Sequence, residues 1–412
     1  MTKTPILRAT AADWKATGII GALCAIAVGG TIATANIHQA DLRQVAVPGD
    51  TDAAVLADVP SSLTTAYSLP NQLVPGQYRA ISAHGLSISH DGDALIATNG
   101  DGSTAWTYTR RDADLCSLST AWGKVVATYH TGLGCGDTVA IDAATGEYDS
   151  TRSAVNSEKV VPVQSNDRVG TVSTGRIDLW RSDLVRTVEY GDVEAKQEAQ
   201  KQPHEECTIS SALTRTENLA LTESCSDESH TTWLRFQATT PEDSREPEMD
   251  ADVSLEGDGA RLIAVGQDAA AVYVPGPKPH IESYNNQGEK LSSTPVKPST
   301  ALDSRTSPFS PAVADLPHHM TWFDGQRLYL LTPSDLRVDH VVDGAIGTPI
   351  SVAGNMLMPT AQGIAVVNWS TGEVLREIDV DRSDYRGPVH LTLAGETIVE
   401  TRGDTIVGLS SE

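Results

Sequence analysis

Residues 349–382 read PISVAGNMLMPTAQGIAVVNWSTGEVLREIDVDR. Short apolar runs alternate with tight-turn residues in this stretch. A strand ends at Gly354-Asn355, a second at Gln362-Gly363, a third at Ser370-Thr371-Gly372, and a fourth runs to Asp379. Four strands joined by three short turns make an antiparallel meander, the unit of a propeller blade. An earlier copy, TAWGKVVATYHTGLGCGDTVAIDAATGEYDSTRS, spans 120–153, and its Ala144-Thr145-Gly146 matches Ser370-Thr371-Gly372. A period of this size is the signature of a repeat fold.

Working outward, turns between a third and a fourth strand recur at Asn99–Gly102, Arg181–Asp183, Ala238–Thr240, Asn286–Gly288 and Pro333–Asp335. With the two above they suggest seven blades, and eight is the alternative. The C-terminal runs VHLTLAG, ETIVETRG and DTIVGLSS are left over. They are expected to complete a blade begun by N-terminal strands around 78–98, closing the ring and protecting strand edges. The fold class is therefore all-β, a β-propeller over 76–412. Two segments break the period: an acidic insertion at 238–258 and a Pro/Ser-rich one at 293–318. A short helix is expected from Val193 to Gln202.

Thr17 to Ala35 is different in kind. TGIIGALCAIAVGGTIATA has nineteen residues and no charge. At ~1.5 Å per helical residue it is long enough to cross the ~30 Å core of a bilayer. Lys3, Arg8 and Lys15 precede it against one acid, Asp13, so the tail 1–16 is expected in the cytoplasm and everything beyond 35 outside. Ala33-Thr34-Ala35 also fits a signal-peptidase site, and cleavage there is the alternative to a retained anchor. Gly21, Ala25, Gly29 and Ala33 recur every fourth residue, a small-residue face suited to docking on another membrane helix. Residues 36–75, rich in Ala, Pro, Thr and Asp, read as an extracytoplasmic linker.

The net charge of −24 argues against nucleic-acid binding, because no basic stripe exists to meet phosphates. Cys24 lies in the membrane segment. Of the three connectivities open to the other four cysteines, nearest-neighbour disulfides are expected: Cys116 with Cys135 and Cys207 with Cys225. The separations are nearly equal, which suggests equivalent staples in two blades. Neither pair has the CxxC spacing of a metal site, so no metal and no cofactor are expected. Phosphate-loop, dinucleotide, nucleophile-elbow and HExxH motifs are all missing, and no catalytic residue is assigned. Trp106, Trp180, Trp233 and Trp369 fall where tryptophan packs between blades. Trp122 and Trp322, nearer to first strands, and His319, beside His318, are the candidates for ligand or partner contact.

The Thr-Gly turns resemble those of quinoprotein-like (PQQ-like) propellers. The whole layout of basic tail, single helix and propeller, with LWRSDLVRTVEYGDVEAK (179–196) and LPHHMTWFDG (316–325), resembles the actinobacterial envelope family of the mycobacterial polar growth factor A. That resemblance implies a non-enzymatic plasma-membrane protein. It would partner the RND-family transporter of trehalose monomycolate in polar growth and would handle mycolate glycolipid outside the membrane. The alternatives are an extracytoplasmic quinone- or metal-dependent propeller enzyme and a ligand-binding sensor.

Overall fold

The computed structural model describes residues 9–45, 55–193, 201–226, 231–302 and 308–411. Strands gather into eight sheets around a central channel, each an antiparallel meander. Blades 1 to 7 run over 81–110, 115–153, 161–191, 207–256, 261–295, 312–343 and 350–379. Blade 8 combines the three strands of 389–411 with Leu63–Pro70. The ring thus holds eight blades rather than the favoured seven, and the reason is topological. In blades 1 to 7 a turn joins the third strand to the fourth. The fourth strand of blade 8 comes from the other end of the chain, so that blade has no such turn to count. All seven turns read from the sequence lie where they were expected.

Closure also moves the start of the propeller. Leu63–Pro70 pairs antiparallel with Thr405–Ser411, from Leu63 opposite Ser411 to Pro70 opposite Thr405. Ala40–Gln44 adds a fifth strand outside blade 1, pairing with Thr104–Arg110. The stretch 36–75, expected as a linker, therefore contributes two strands, and the strands of 81–98 belong to blade 1 instead of closing the ring. Tyr67 wedges the closing strand into place. A Cβ on Gly408 would lie 2.2 Å from its ring, and one on Gly102, at φ +87°, 2.8 Å from its Cβ.

Blades stack because their middle strands cannot meet water on either face. Gly363–Val367 and Arg327–Leu331 are buried at every residue, whereas the outer strand Val374–Asp379 buries only Ile378. Continuous apolar third strands and polar fourth strands are what a stack of sheets requires. Trp106 is fully buried and donates from Nε1 to the Ala143 carbonyl of blade 2 at 3.2 Å. Gly146, in the left-handed region at φ +64°, leaves room for that indole, since a Cβ there would sit 2.8 Å from it. Trp369 donates to the Gly354 carbonyl of its own blade 7 and lies against His318 and His319 of blade 6.

Both expected disulfides form. They are not equivalent staples. Cys207 and Cys225 face each other on the first and second strands of blade 4, with Cα atoms 4.2 Å apart. In blade 2 a tight turn brings the chain back sooner, so Cys135 already opens the third strand and reaches across to Cys116 on the first. Met249–Glu256, inside the acidic insertion, is the fourth strand of blade 4. The short helix expected over 193–202 falls largely on 194–200, outside the described residues.

One apolar helix, Ala11–Ala33, precedes the propeller and is long enough to span a membrane. Thr10 caps it, with Asp13 returning a bond to the Thr10 backbone. Gly21, Ala25, Gly29 and Ala33 all lie on its exposed surface. Residues 34–39 alone separate it from the first strand, a reach of at most about 20 Å.

A chain starting at residue 76 lacks the closing strand, and one starting at residue 55 keeps it. The shorter chain is expected to unfold about 10 °C earlier or more, since a few kcal/mol shifts a domain of this size by several degrees. It should also self-associate through the freed edge of blade 8. Thermal unfolding with light scattering checks this, and equal midpoints would contradict it.

Candidate functional site

The first strand of each blade lies innermost, and at the channel these strands present apolar residues together with polar and charged ones such as Gln164, Arg215 and Asp315. They leave a central cavity of about 600 Å³. Its wall comes from the first strands of blades 1 to 6, among them Ile81, Leu118, Val163, Leu213, Val265 and Val313. A volume of this size suits a small organic ligand.

Two connections cross the channel. Gly76, at φ +79°, packs so tightly on blade 3 that a Cβ would lie 2.8 Å from that of Val161. Ser310 Oγ donates to the Gly76 carbonyl at 3.0 Å, and the Tyr78 hydroxyl donates to the Ser310 carbonyl. Phe309 N donates to the Ser210 carbonyl of blade 4 at 2.7 Å. The end of the Pro/Ser-rich insertion is thus part of the cavity wall, although its residues 303–307 lie outside the described ones.

Arg79 follows directly. It lines the cavity, and its Nη1 donates to the Leu391 carbonyl at 3.3 Å. Burial pushes its guanidinium pKa down from the ordinary value. Nearby His390 is buried, and burial, reinforced by the Arg79 charge, lowers its pKa to about 3. Its Nδ1 accepts from the Thr348 N–H at 3.2 Å, which fits a neutral ring. Across the cavity Arg215 is met by Asp315 at 2.7 Å.

A second constellation sits on blade 4, at the opposite end of the strand that carries Leu213. His204, Cys207 and Glu223 bring donor atoms within 4.8 Å of one another. Glu223 is fully buried and accepts from the Tyr190 hydroxyl at 2.9 and 2.8 Å and from Arg235 Nε. Burial raises its pKa, with Arg235 working against the rise. In the sequence His204 beside Cys207 is one histidine near one cysteine, weak evidence of a metal site, and Glu223 is missed because strand pairing, not a motif, brings it in. Cys207 is bonded to Cys225, so its sulfur becomes a thiolate ligand only when that bridge opens.

The aromatic candidates lie elsewhere. Trp322 is fully buried between blades 5 and 6, its ring 5.7 Å from that of Tyr273 and 5.2 Å from that of Tyr329. Trp122, at φ +56°, packs beside Trp180 and Leu184 at the rim of blades 2 and 3. His319 stacks on Trp369 at 5.9 Å and sets Nε2 3.0 Å from Asp339 Oδ2. None of the three lines the central cavity.

No protein-family model matches the chain, and no curated protein matches it in sequence. Solved structures do match in shape. BamB from Moraxella catarrhalis aligns at TM-score 0.50 and 10% identity, over 84% of this chain and 99% of its own. The quinohemoprotein alcohol dehydrogenase from Comamonas testosteroni aligns at TM-score 0.52 and 12% identity, over 87% and 78%. At these identities the likeness is one of fold.

Two expectations are thereby corrected. The propeller is shared with a dehydrogenase as much as with BamB, so its architecture does not single out the non-enzymatic mycolate-transport role. The His204/Cys207/Glu223 group likewise overturns the reading that the chain has no metal-binding or catalytic capacity. Spacing along the sequence was the wrong test, because the donors converge across two strands.

Two measurements follow. With the bridge closed the blade 4 group has two donors, and Zn²⁺ should bind weakly. After reduction its affinity should rise at least about tenfold, as thiolate donors become available, and Cys207→Ser should abolish the gain; isothermal titration reads this. For His390 the folded pKa lies below the unfolded one, so the unfolded chain binds the extra proton between about pH 6.5 and 3. Its contribution is therefore complete above pH 6.5 and is lost as pH falls, by up to about 1.4 kcal/mol per unit. His390→Gln should flatten denaturation midpoints across that window.

Proposed function

We propose that this chain is a membrane-tethered protein whose propeller stands on the extracytoplasmic side and binds a small organic molecule in its central channel. The observation that carries the reading is the cavity of about 600 Å³, walled by the first strands of blades 1 to 6 and crossed by Gly76–Arg79. The basic N-terminal tail supports the orientation. So do the two disulfides, which persist in an oxidising compartment. Kinship of layout with the actinobacterial envelope family belongs to this proposal, without the transporter role.

The second reading is a metal-dependent propeller enzyme, favoured by the His204/Cys207/Glu223 group. In the oxidised chain that donor set does not fit a metal, since Cys207 is held in the bridge and Glu223 is neutralised by Arg235. Opened, it would offer Cys207, His204 and Glu223, and a metal there would supply Lewis acidity.

Val313 and Leu213 are both partly exposed at the cavity wall. Small molecules from a screen that stabilise the full-length protein against heat are expected to lose that effect in Val313→Trp and Leu213→Trp. The wild-type shift should reach several degrees once ligand is about 100-fold above Kd, an effect of about 2.7 kcal/mol. Hits that stabilise wild type and filled variants alike would place binding elsewhere.

A further inference from the structure

We infer that the channel's ligand is an organic oxyanion and that Arg79 is the residue that grips it. This rests on the channel being the ligand site. The chain carries 54 acidic residues against 30 basic ones, and its fully buried arginines are paired with carboxylates. Arg176 meets Asp178 and Glu189 at 2.8 and 2.7 Å, Arg327 meets Asp324 at 2.7 Å, and Arg382 meets Glu400 at 2.7 Å. Arg79 is half-buried, and Arg261 and Arg376 share with it contacts to backbone carbonyls alone, but of these Arg79 lines the cavity. Among the described residues no carboxylate meets its guanidinium, and the Leu391 carbonyl takes one of its five donors.

Two carboxylates share the cavity wall with this charge, and both have other partners: Asp315 meets Arg215 at 2.7 Å, and Asp167 accepts from Ser165 Oγ at 2.8 Å and lies 4.0 Å from Arg168. His390 accepts a backbone N–H at Nδ1, and the neighbouring Tyr78 donates its hydroxyl to the Ser310 carbonyl, so neither supplies an anion. Arg215, the other arginine lining the cavity, is already neutralised by Asp315. Arg79 is half-buried, so water meets part of its charge, and an anion taking the place of that water gains a charge-assisted pair. The backbone that carries Arg79 is fixed in advance. Gln77 donates to the Arg79 carbonyl at 2.9 Å. Ala80 is held at both ends by blade 8, receiving from Thr392 Oγ1 at 2.9 Å and donating to Thr401 Oγ1 at 3.0 Å. A guanidinium held this way matches a carboxylate or a phosphate monoester with paired N–H donors.

The test uses full-length protein in phosphatidylcholine nanodiscs, titrated by fluorine NMR with three probes of one shape: 4-fluorobenzoate, 4-fluorophenyl phosphate and 4-fluorobenzamide. One or both anions are expected to bind at least about tenfold tighter than the amide, the scale of a charge-assisted pair. Which anion binds tighter distinguishes a carboxylate ligand from a phosphate ester. Arg79→Gln should erase the preference, and Arg79→Lys should retain part of it, which separates lost charge from lost folding. Equal binding of all three probes, abolished by Val313→Trp, would overturn the anion inference and leave the channel reading intact. An anion preference that survives Arg79→Gln would overturn the role of Arg79. Failure of all three to bind would overturn both readings.

Discussion

The pairing of Leu63–Pro70 with Thr405–Ser411 is the constraint on which the rest of the molecule depends. A blade has two apolar faces and cannot stand alone, so every blade needs a neighbour on each side. A chain of blades satisfies this only as a closed ring, and the ring closes by joining the two ends of the sequence within one sheet. Closure fixes the number of blades at eight and so the width of the channel. It also anchors the segment that runs on from Pro70 into the channel. Gly76, Tyr78 and Arg79 are positioned because the strand before them and blade 1 after them are both locked. The ligand cavity is in that sense a by-product of how the ends are tied.

Charge placement inside the ring follows a second rule. Arg176, Arg235, Arg327 and Arg382 are buried, each facing an acid: on its own or an adjoining strand for Arg176 and Arg235, in the preceding turn for Arg327, and on blade 8 for Arg382. Such pairs gain little net stability over apolar packing, but losing one partner costs about 3–5 kcal/mol, so they fix which strand lies beside which. Arg382 shows the geometry, joining Glu400 of blade 8 to the Thr360 and Gly363 carbonyls of blade 7 at 2.5 and 2.8 Å. Against that background Arg79 bonds a carbonyl of blade 8 in place of an acid, and its position in the cavity wall is what the proposed anion contact rests on.

The propeller was legible because its local chemistry repeats. Thr-Gly turns with positive φ at Gly146 and Gly372, and apolar third strands such as Ile364–Val367, recur at a readable period. What was not legible is what depends on the ring as a whole. The closing strand LTTAYSLP alternates weakly and sits in Pro- and Ala-rich sequence, so it passes for linker. Trp122 and Trp322 lie near first strands in sequence, but side-chain direction turned them into packing between blades. Arg79 sits in a connection without periodicity, where only its place in the cavity wall, seen in three dimensions, makes it stand out. The two cysteine pairs were legible as bonds, but not as bonds of different reach: the glycines of Gly132-Leu133-Gly134 mark a turn, yet equal spacing of 18 and 19 residues hid that Cys135 lies beyond it on the third strand.

The blade 4 group shows why fold and spacing alone cannot decide between chemistry and structure. The same sulfur is a staple when bonded to Cys225 and a ligand when free, and the compartment's redox poise chooses between them. An apolar helix followed by a disulfide-bonded ring fits the oxidised state, in which His204 and Glu223 have no thiolate to share a metal with. Chemistry there would require a dithiol reductant able to reach a bridge at the end of an inner strand. The central channel has no such requirement. Its cation is present in the oxidised ring, on a backbone already held in place, and that makes the channel the stronger claimant to function.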